Sequence, residues 1–121
     1  MLSVGIDLIE VDRIKNSMER GSFLKRILGE NEYLELEKRN FPPQSVAVNF
    51  CAKEAFLKAM GKGLGEIDFT EIELLRLKSG QPYLSLTGKT LALAEKQNLE
   101  FSVSATHTEK YASVVILAYD K

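Results

Sequence analysis

Apolar and polar positions change period several times along the chain, and each change marks an element. Residues 2–9 alternate and predict a strand, with Leu2, Val4, Ile6 and Leu8 on one face and Ser3, Gly5, Asp7 and Ile9 on the other. From Asp12 to Arg20 the spacing is helical, with Val11, Ile14 and Met18 inward, Asp12 as N-cap and Gly21 as stop. A short helical piece spans Ser22 to Leu28, and another helix Asn31 to Lys38. Phe41-Pro42-Pro43 ends that helix and launches the longest run, from about Gln44 to Met60. In it Val48, Ala52, Ala55, Phe56 and Ala59 form one apolar face, while Glu54, Lys58 and Gly61 share another. Gly61, Gly63 and Gly65 make a glycine-rich exit. Asp68 to Leu77 reads as a strand, Ser79-Gly80 as a hairpin turn and Pro82 to Leu86 as its return. A helix from Thr87 to Asn98 follows, capped by Thr87, with Leu91, Leu93 and Ala94 inward. Glu100 to Ala105 and Ala112 to Tyr119 are the closing strands.

These elements mix short strands with helices, and 121 residues suit a single domain, 1–121. A hydrophobic share of 45% with 27% charged residues is that of a globular chain. So short a chain has little room for a deep pocket, and a site shared between subunits would relieve that limit. The net charge of −1 argues against nucleic acid as a partner, and no apolar run approaches membrane-spanning length. One cysteine forms no internal disulfide, and the N-terminus does not read as a signal peptide, so a cytoplasmic protein is expected.

Charge is uneven. Between Val11 and Arg26 five cations (Arg13, Lys15, Arg20, Lys25, Arg26) face two acids, an excess that would suit an acidic docking partner or simply a solvated helix face. Glu54 and Lys58, one turn apart, read alone as an exposed ion pair. Beside a second carboxylate they read differently. Asp7 lies in the middle of an apolar strand, where an unpaired carboxylate is costly and needs a cation, a donor or solvent. Two carboxylates suit one magnesium ion, which takes one or two of them plus water and substrate phosphates, with Lys58 within reach of the same phosphate. The glycines follow the helix instead of preceding it, so they do not form a nucleotide P-loop. His107, the only histidine, falls in the turn Thr106-His107-Thr108, either as polar surface or against a phosphate. Cys51 reads as a small, partly buried helix residue.

Three segments together resemble a known family: Gly5-Ile6-Asp7-Leu8-Ile9-Glu10-Val11-Asp12-Arg13-Ile14; Phe50-Cys51-Ala52-Lys53-Glu54-Ala55-Phe56-Leu57-Lys58-Ala59-Met60-Gly61-Lys62-Gly63; and Ser104-Ala105-Thr106-His107-Thr108 with Tyr111-Ala112. The chain closely resembles the holo-[acyl-carrier-protein] synthases, over essentially its whole length. The resemblance implies an α+β 4′-phosphopantetheinyl transferase fold, with a small, largely antiparallel sheet packed against a long central helix, in a homotrimer with active sites between subunits. It implies transfer of the 4′-phosphopantetheine arm of coenzyme A to a serine of apo-acyl carrier protein in fatty acid biosynthesis, releasing adenosine 3′,5′-bisphosphate. By motif position Asp7 and Glu54 would bind Mg2+, and Lys58 would hold the coenzyme A diphosphate and ease departure of the leaving phosphate. Gly61 and the loop after it would line the coenzyme site, and His107 with Thr108 would lie near the 3′-phosphate. Arg13 and Arg20, with Lys25 and Arg26, would dock the acidic carrier protein. The serine proton would pass to a metal-bound water or, through a water, to Glu54. Many relatives carry arginine, a phosphate contact, at the position of Asn49. Asn49 is therefore a candidate coenzyme contact, with the grip on the 3′-phosphate expected to pass to Lys62 or another lysine. Thr106 stands where serine is usual. The alternatives are a binding module for coenzyme A or carrier protein without turnover, and a small magnesium-dependent nuclease. Intact Asp7, Glu54 and Lys58 speak against the first and the net charge against the second.

Overall fold

The opening strand keeps its alternation and turns Ser3, Gly5, Asp7 and Ile9 toward the body of the protein, leaving Leu2, Val4, Ile6 and Leu8 outside. The computed structural model describes residues 1–62 and 66–121. In chain order the elements are β1 (Leu2–Glu10), α1 (Val11–Met18), α2 (Phe23–Ile27), α3 (Glu30–Glu37), α4 (Pro43–Met60), a 3₁₀ turn (Phe69–Glu71), β2 (Ile72–Arg76), β3 (Pro82–Leu86), α5 (Gly88–Lys96), β4 (Leu99–His107) and β5 (Tyr111–Asp120). Among them β5 is the middle strand of a three-stranded antiparallel sheet, with β1 and β4 at its edges. A second antiparallel pair, β2–β3, closes through a turn in which Gly80 takes φ +92°. The α+β expectation holds, with the strands divided between two sheets.

Helix α4 packs against β1, β5 and β2, and against α1. Its residues are therefore buried on more than the one face expected: Ala47, Cys51 and Lys53 are as buried as Ala52 and Phe56. The helix starts on Pro43, whose missing N–H costs nothing in a first turn, and stops at Gly61 with φ +66°. It lies very close to β1. A Cβ on Gly5 would sit 1.9 Å from the Ala55 carbonyl oxygen, so only glycine permits this approach. Ser3 Oγ donates to the Ala59 carbonyl at 2.7 Å and fastens the same contact.

Several local expectations change. Helix α1 begins at Val11, with Glu10 rather than Asp12 in the cap position; Asp12 falls in the first turn, where its charge still favours the helix dipole. The helix stops at Met18, before Gly21. The stretch from Asp68 opens as a 3₁₀ turn, because the Asp68 carboxylate accepts from Thr70 N (2.9 Å) and folds the chain back before β2 can start. In α5 Thr87 makes no side-chain cap; Glu71 accepts from Lys89 N and Thr90 N, both at 3.2 Å, and does that work from outside the helix. Thr90 and Ala94 are buried there, while Leu91 is exposed. His107 is the last residue of β4 and not part of a turn.

One buried polar cluster was not legible in the pattern. Lys53 Nζ donates to Glu32 Oε1 at 2.6 Å, to the Phe69 carbonyl at 3.0 Å and to the Ile72 carbonyl. Glu32 also accepts from Gly29 N, Leu74 N and Asn49 Nδ2. Burial pushes the Glu32 carboxyl up and the Lys53 ammonium down, and their pairing opposes both shifts. The cluster ties α3, α4 and β2 together.

Candidate active site

Strand β1 and helix α4 bring together residues far apart in sequence. Asp7 points from the inner face of β1 toward α4, and Lys58 Nζ lies 3.3 Å from Asp7 Oδ1 and 3.0 Å from the Ile6 carbonyl. Lys58 thus pairs with a carboxylate 51 residues away, where the sequence alone suggested its helix neighbour Glu54. Glu54 stands close by. Partial burial, then the charge of Asp7, push its carboxyl up, while Lys58 and Arg13 pull it down. The side chain of Lys58 remains 57% exposed, so the group opens to solvent. Cys51 Sγ lies 3.8 Å from Asp7 Oδ2 beneath it. Burial, with Asp7 adding to it, pushes that thiol up to about 12, which fits a packing residue and not a nucleophile.

Two neighbouring carboxylates, with the charge of Asp7 raising the cost of ionising Glu54, are suited to a cation. Among the described residues no cluster of three or more His, Cys, Asp or Glu forms, so protein atoms alone would not enclose a metal. Two carboxylate ligands with open positions fit magnesium, which keeps waters and takes substrate phosphate oxygens. Zinc or calcium would ask for more protein ligands.

The other expected positions divide. Gly61 caps α4 and is exposed, and Lys62 follows it half-buried. Gly63 and Gly65, the rest of the glycine-rich exit, lie outside the described residues. Arg13, Lys15, Arg20, Lys25 and Arg26 are all exposed along α1 and α2. Arg20 lies over the Phe23 ring at 5.9 Å and Lys25 over the Tyr33 ring at 5.8 Å. His107 and Thr108 are exposed at the end of β4; Thr108 Oγ1 accepts from Lys110 N and Tyr111 N, bracing the turn into β5. They sit at the far edge of the sheet from Asp7, because β5 lies between β1 and β4.

Asn49, expected as a coenzyme contact, has all its side-chain hydrogen bonds to protein groups. It is wholly buried, donating to Glu32 Oε2 and to the Leu74 carbonyl and accepting from Arg76 Nη2 at 2.9 Å. Arg76 and Arg39, with His107, line a cavity of about 310 Å³ on that flank of α4. Neither arginine was singled out from sequence. Only the hairpin register, which sets Arg76 opposite Pro82 at the end of β2, brings it there.

A model of the 4′-phosphopantetheinyl transferase superfamily matches residues 3–115. The chain belongs to that superfamily. A holo-[acyl-carrier-protein] synthase of Chloroherpeton thalassium is 45% identical over 124 residues, spanning 99% of this chain and 100% of the relative. Among solved structures, a Chronobacterium ammoniagenes ACPS–CoA complex superposes with a TM-score of 0.88 at 26% identity, over 100% of this chain and 98% of that one. A Bacillus anthracis holo-(acyl-carrier-protein) synthase in complex with CoA (3′,5′-ADP) gives 0.82 at 30% identity, over 98% and 96%. Fold and sequence agree on a phosphopantetheinyl transferase of the holo-[acyl-carrier-protein] synthase kind.

Proposed function

We propose that Asp7, Glu54 and Lys58 carry the reaction of a holo-[acyl-carrier-protein] synthase in this chain. The reaction moves 4′-phosphopantetheine from coenzyme A to a serine of apo-acyl carrier protein. A new bond forms between the serine oxygen and the phosphorus next to the pantetheine, the serine proton leaves to water, the bond to the leaving phosphate breaks, and adenosine 3′,5′-bisphosphate departs. The observation that carries the reading is the meeting of Asp7 with Lys58, 51 residues apart in sequence, with Glu54 beside them.

Asp7 and Glu54 would hold Mg2+, which when bound supplies charge neutralisation and alignment at the diphosphate. Lys58 is fixed by the Ile6 carbonyl and by Asp7, yet more than half exposed, so its ammonium is free to meet the charge that grows on the leaving phosphate. The field of Arg13 reaches Glu54, so the exposed cations of α1 begin beside the reacting groups. Docking an acidic carrier protein on Arg13, Arg20, Lys25 and Arg26 would deliver its serine to this edge.

The working unit is a homotrimer. Leu2, Val4, Ile6 and Leu8 are 75%, 58%, 60% and 65% exposed on the outer face of β1. Leu117, which pairs with Val4, is exposed on β5, and Val115 and Tyr119 continue the patch. Such a face calls for cover by protein. A second copy is the occupant that the sheet edges favour. Asp7 sits on one edge strand and His107 on the other, and Ser45 and Glu54 lie about 180° apart around α4. Two half-sites looking out from opposite edges complete one another only between copies, and a head-to-tail contact whose rotation closes gives a ring. Among the described residues no helix is long and apolar enough to cross a membrane. We assign the enzyme to the cytoplasm, which suits a chain with one buried, unpaired cysteine.

The test is intact mass of apo-acyl carrier protein after incubation with enzyme, coenzyme A and Mg2+. A gain of one phosphopantetheine is expected, with the enzyme sedimenting as a trimer. Glu54→Gln is expected to lower kcat/KM by about 100-fold or more, without loss of folding stability, since burial and Asp7 already disfavour the charged form. No mass gain by the unaltered protein refutes the reading; a Glu54→Gln protein that unfolds shows a structural ion pair instead.

A further inference from the structure

On the flank of α4 away from Asp7, the charged lining of the 310 Å³ cavity is Arg39, Arg76 and His107, with no carboxylate among the lining residues described. The position of Arg76 is built, not incidental. Asn49 spends its two amide protons on Glu32 Oε2 (2.9 Å) and the Leu74 carbonyl (3.1 Å), so its Oδ1 faces outward and accepts from Arg76 Nη2 at 2.9 Å. On the other side Glu35 Oε1 stands 3.5 Å from Arg76 Nη1, an ion pair without a hydrogen bond. The guanidinium is held at both ends, the side chain keeps 18% of its surface exposed, and Arg76 is among the residues that line the cavity. Burial, then the charge of Arg39, hold it below its ordinary pKa, while Glu35 and Glu32 oppose that shift. Ser45 adds a hydroxyl to the same wall.

Two arginines and a histidine line one concavity, with the nearby carboxylates of Glu35 and Glu32 outside its lining, and such a lining asks for an anion. Arginine's planar fork favours a phosphate over a single-oxygen acceptor. Helix α4 offers no arginine at position 49, yet its asparagine there holds an arginine from β2. The asparagine of the helix thus positions a cation that the neighbouring strand supplies.

We propose that Arg76, held by Asn49 and flanked by Arg39, binds the 3′-phosphate of coenzyme A and makes the enzyme prefer coenzyme A to 3′-dephospho-coenzyme A. This rests on the transferase reading above and names the residue that reads the donor. Arg76 contacts the terminal phosphate and takes no part in the bond changes at the diphosphate. Its removal therefore acts on donor choice.

The experiment compares KM and kcat for coenzyme A and 3′-dephospho-coenzyme A in the unaltered enzyme, Arg76→Gln, Arg76→Lys and Arg39→Gln. The preference for coenzyme A, as a ratio of kcat/KM values, is expected to fall about 10- to 100-fold in Arg76→Gln, mainly through KM. Arg76→Lys is expected to keep part of it. An unaltered ratio in Arg76→Gln overturns the proposal, even if both donors are used more slowly, because a purely structural role would slow both alike. Should Arg76→Gln not fold, the exposed Arg39→Gln reads the same ratio, and an unaltered ratio there is equally decisive. Calorimetric titration with adenosine 3′,5′-bisphosphate and adenosine 5′-monophosphate separates this claim from the function. If the unaltered protein transfers nothing, the transferase reading fails, yet an Arg76-dependent preference for the bisphosphate still supports the site and its absence refutes it.

Discussion

Replacing Gly5 by alanine tests the link between the fold and the reacting groups. The new methyl would lie 1.9 Å from the Ala55 carbonyl oxygen and 2.5 Å from Ala59 N, both backbone atoms of α4. A carbon next to a carbonyl oxygen needs roughly 3.3 Å, so helix and strand would have to part by about 1.4 Å at this point. The helix cannot yield by a rotamer change, because the obstacle is main chain. Overpacking of this kind costs about 1–3 kcal/mol and occasionally more, and the severity of the overlap places Gly5→Ala at about 3 kcal/mol. For a chain of this length that is a fall in Tm of roughly 10–15 °C. The same movement separates Asp7, two residues along β1, from Lys58 and Glu54 on α4. A displacement of about 1 Å at reacting groups can cost 100-fold in rate, so kcat/KM is expected to drop by about that factor at a temperature where the variant is still folded. Differential scanning fluorimetry and the mass assay at 20 °C in parallel give both numbers. Gly21→Ala is the control, since nothing lies within 4 Å of its Cβ. If Gly5→Ala keeps its Tm and its turnover, the strand–helix contact does not position the site and the argument is wrong.

Other expectations follow from the buried groups. Lys53→Met leaves Glu32 without its cation and should cost about 3–5 kcal/mol, seen as a fall of about 10–20 °C in Tm; a change below 1 kcal/mol would deny the pair its structural role. Cys51, with its thiol pushed up to about 12, should be ionised in only about one molecule in ten thousand at pH 8. It should resist a thiol reagent in the native protein and react at once in guanidinium, whereas rapid native labelling would contradict its burial.

What the sequence revealed depended on how local each signal was. The opening strand and α4 were legible because their periods are regular and because Pro43 and Gly61 punctuate the helix. Asp7, Glu54 and Lys58 were legible as candidates because a carboxylate inside an apolar strand needs an explanation and because the motif carries them. Their meeting was not, since it rests on contacts 51 residues apart. The two lysines of α4 show the limit well. Lys53 and Lys58 lie five residues apart, about 140° around the helix, and nothing near them in sequence says which one faces the interior. Lys53 is buried because Glu32 and two carbonyls wait for it; Lys58 is open because β1 ends its reach with Asp7. The surroundings of Asn49 were not legible for the same reason, its partners being Glu32, Leu74 and Arg76 from other elements.

The choice of inner face on β1 ties these points together. By hydrophobicity alone the Leu2, Val4, Ile6 and Leu8 face would be the one to bury. A helix backbone cannot approach that face, whereas Gly5 admits it to within direct contact on the other. Burying the smaller face puts Asp7 against α4 and makes the edge proposed to carry the reaction. It also leaves the larger apolar face outside, where another copy of the chain would cover it. One glycine thus accounts for both consequences: a carboxylate delivered to Glu54 and Lys58, and an exposed sheet face that a monomer would have little reason to keep. A Gly5→Ala protein that loses turnover but still sedimented as a trimer would separate the two, and would place the assembly's cause in the outer face alone.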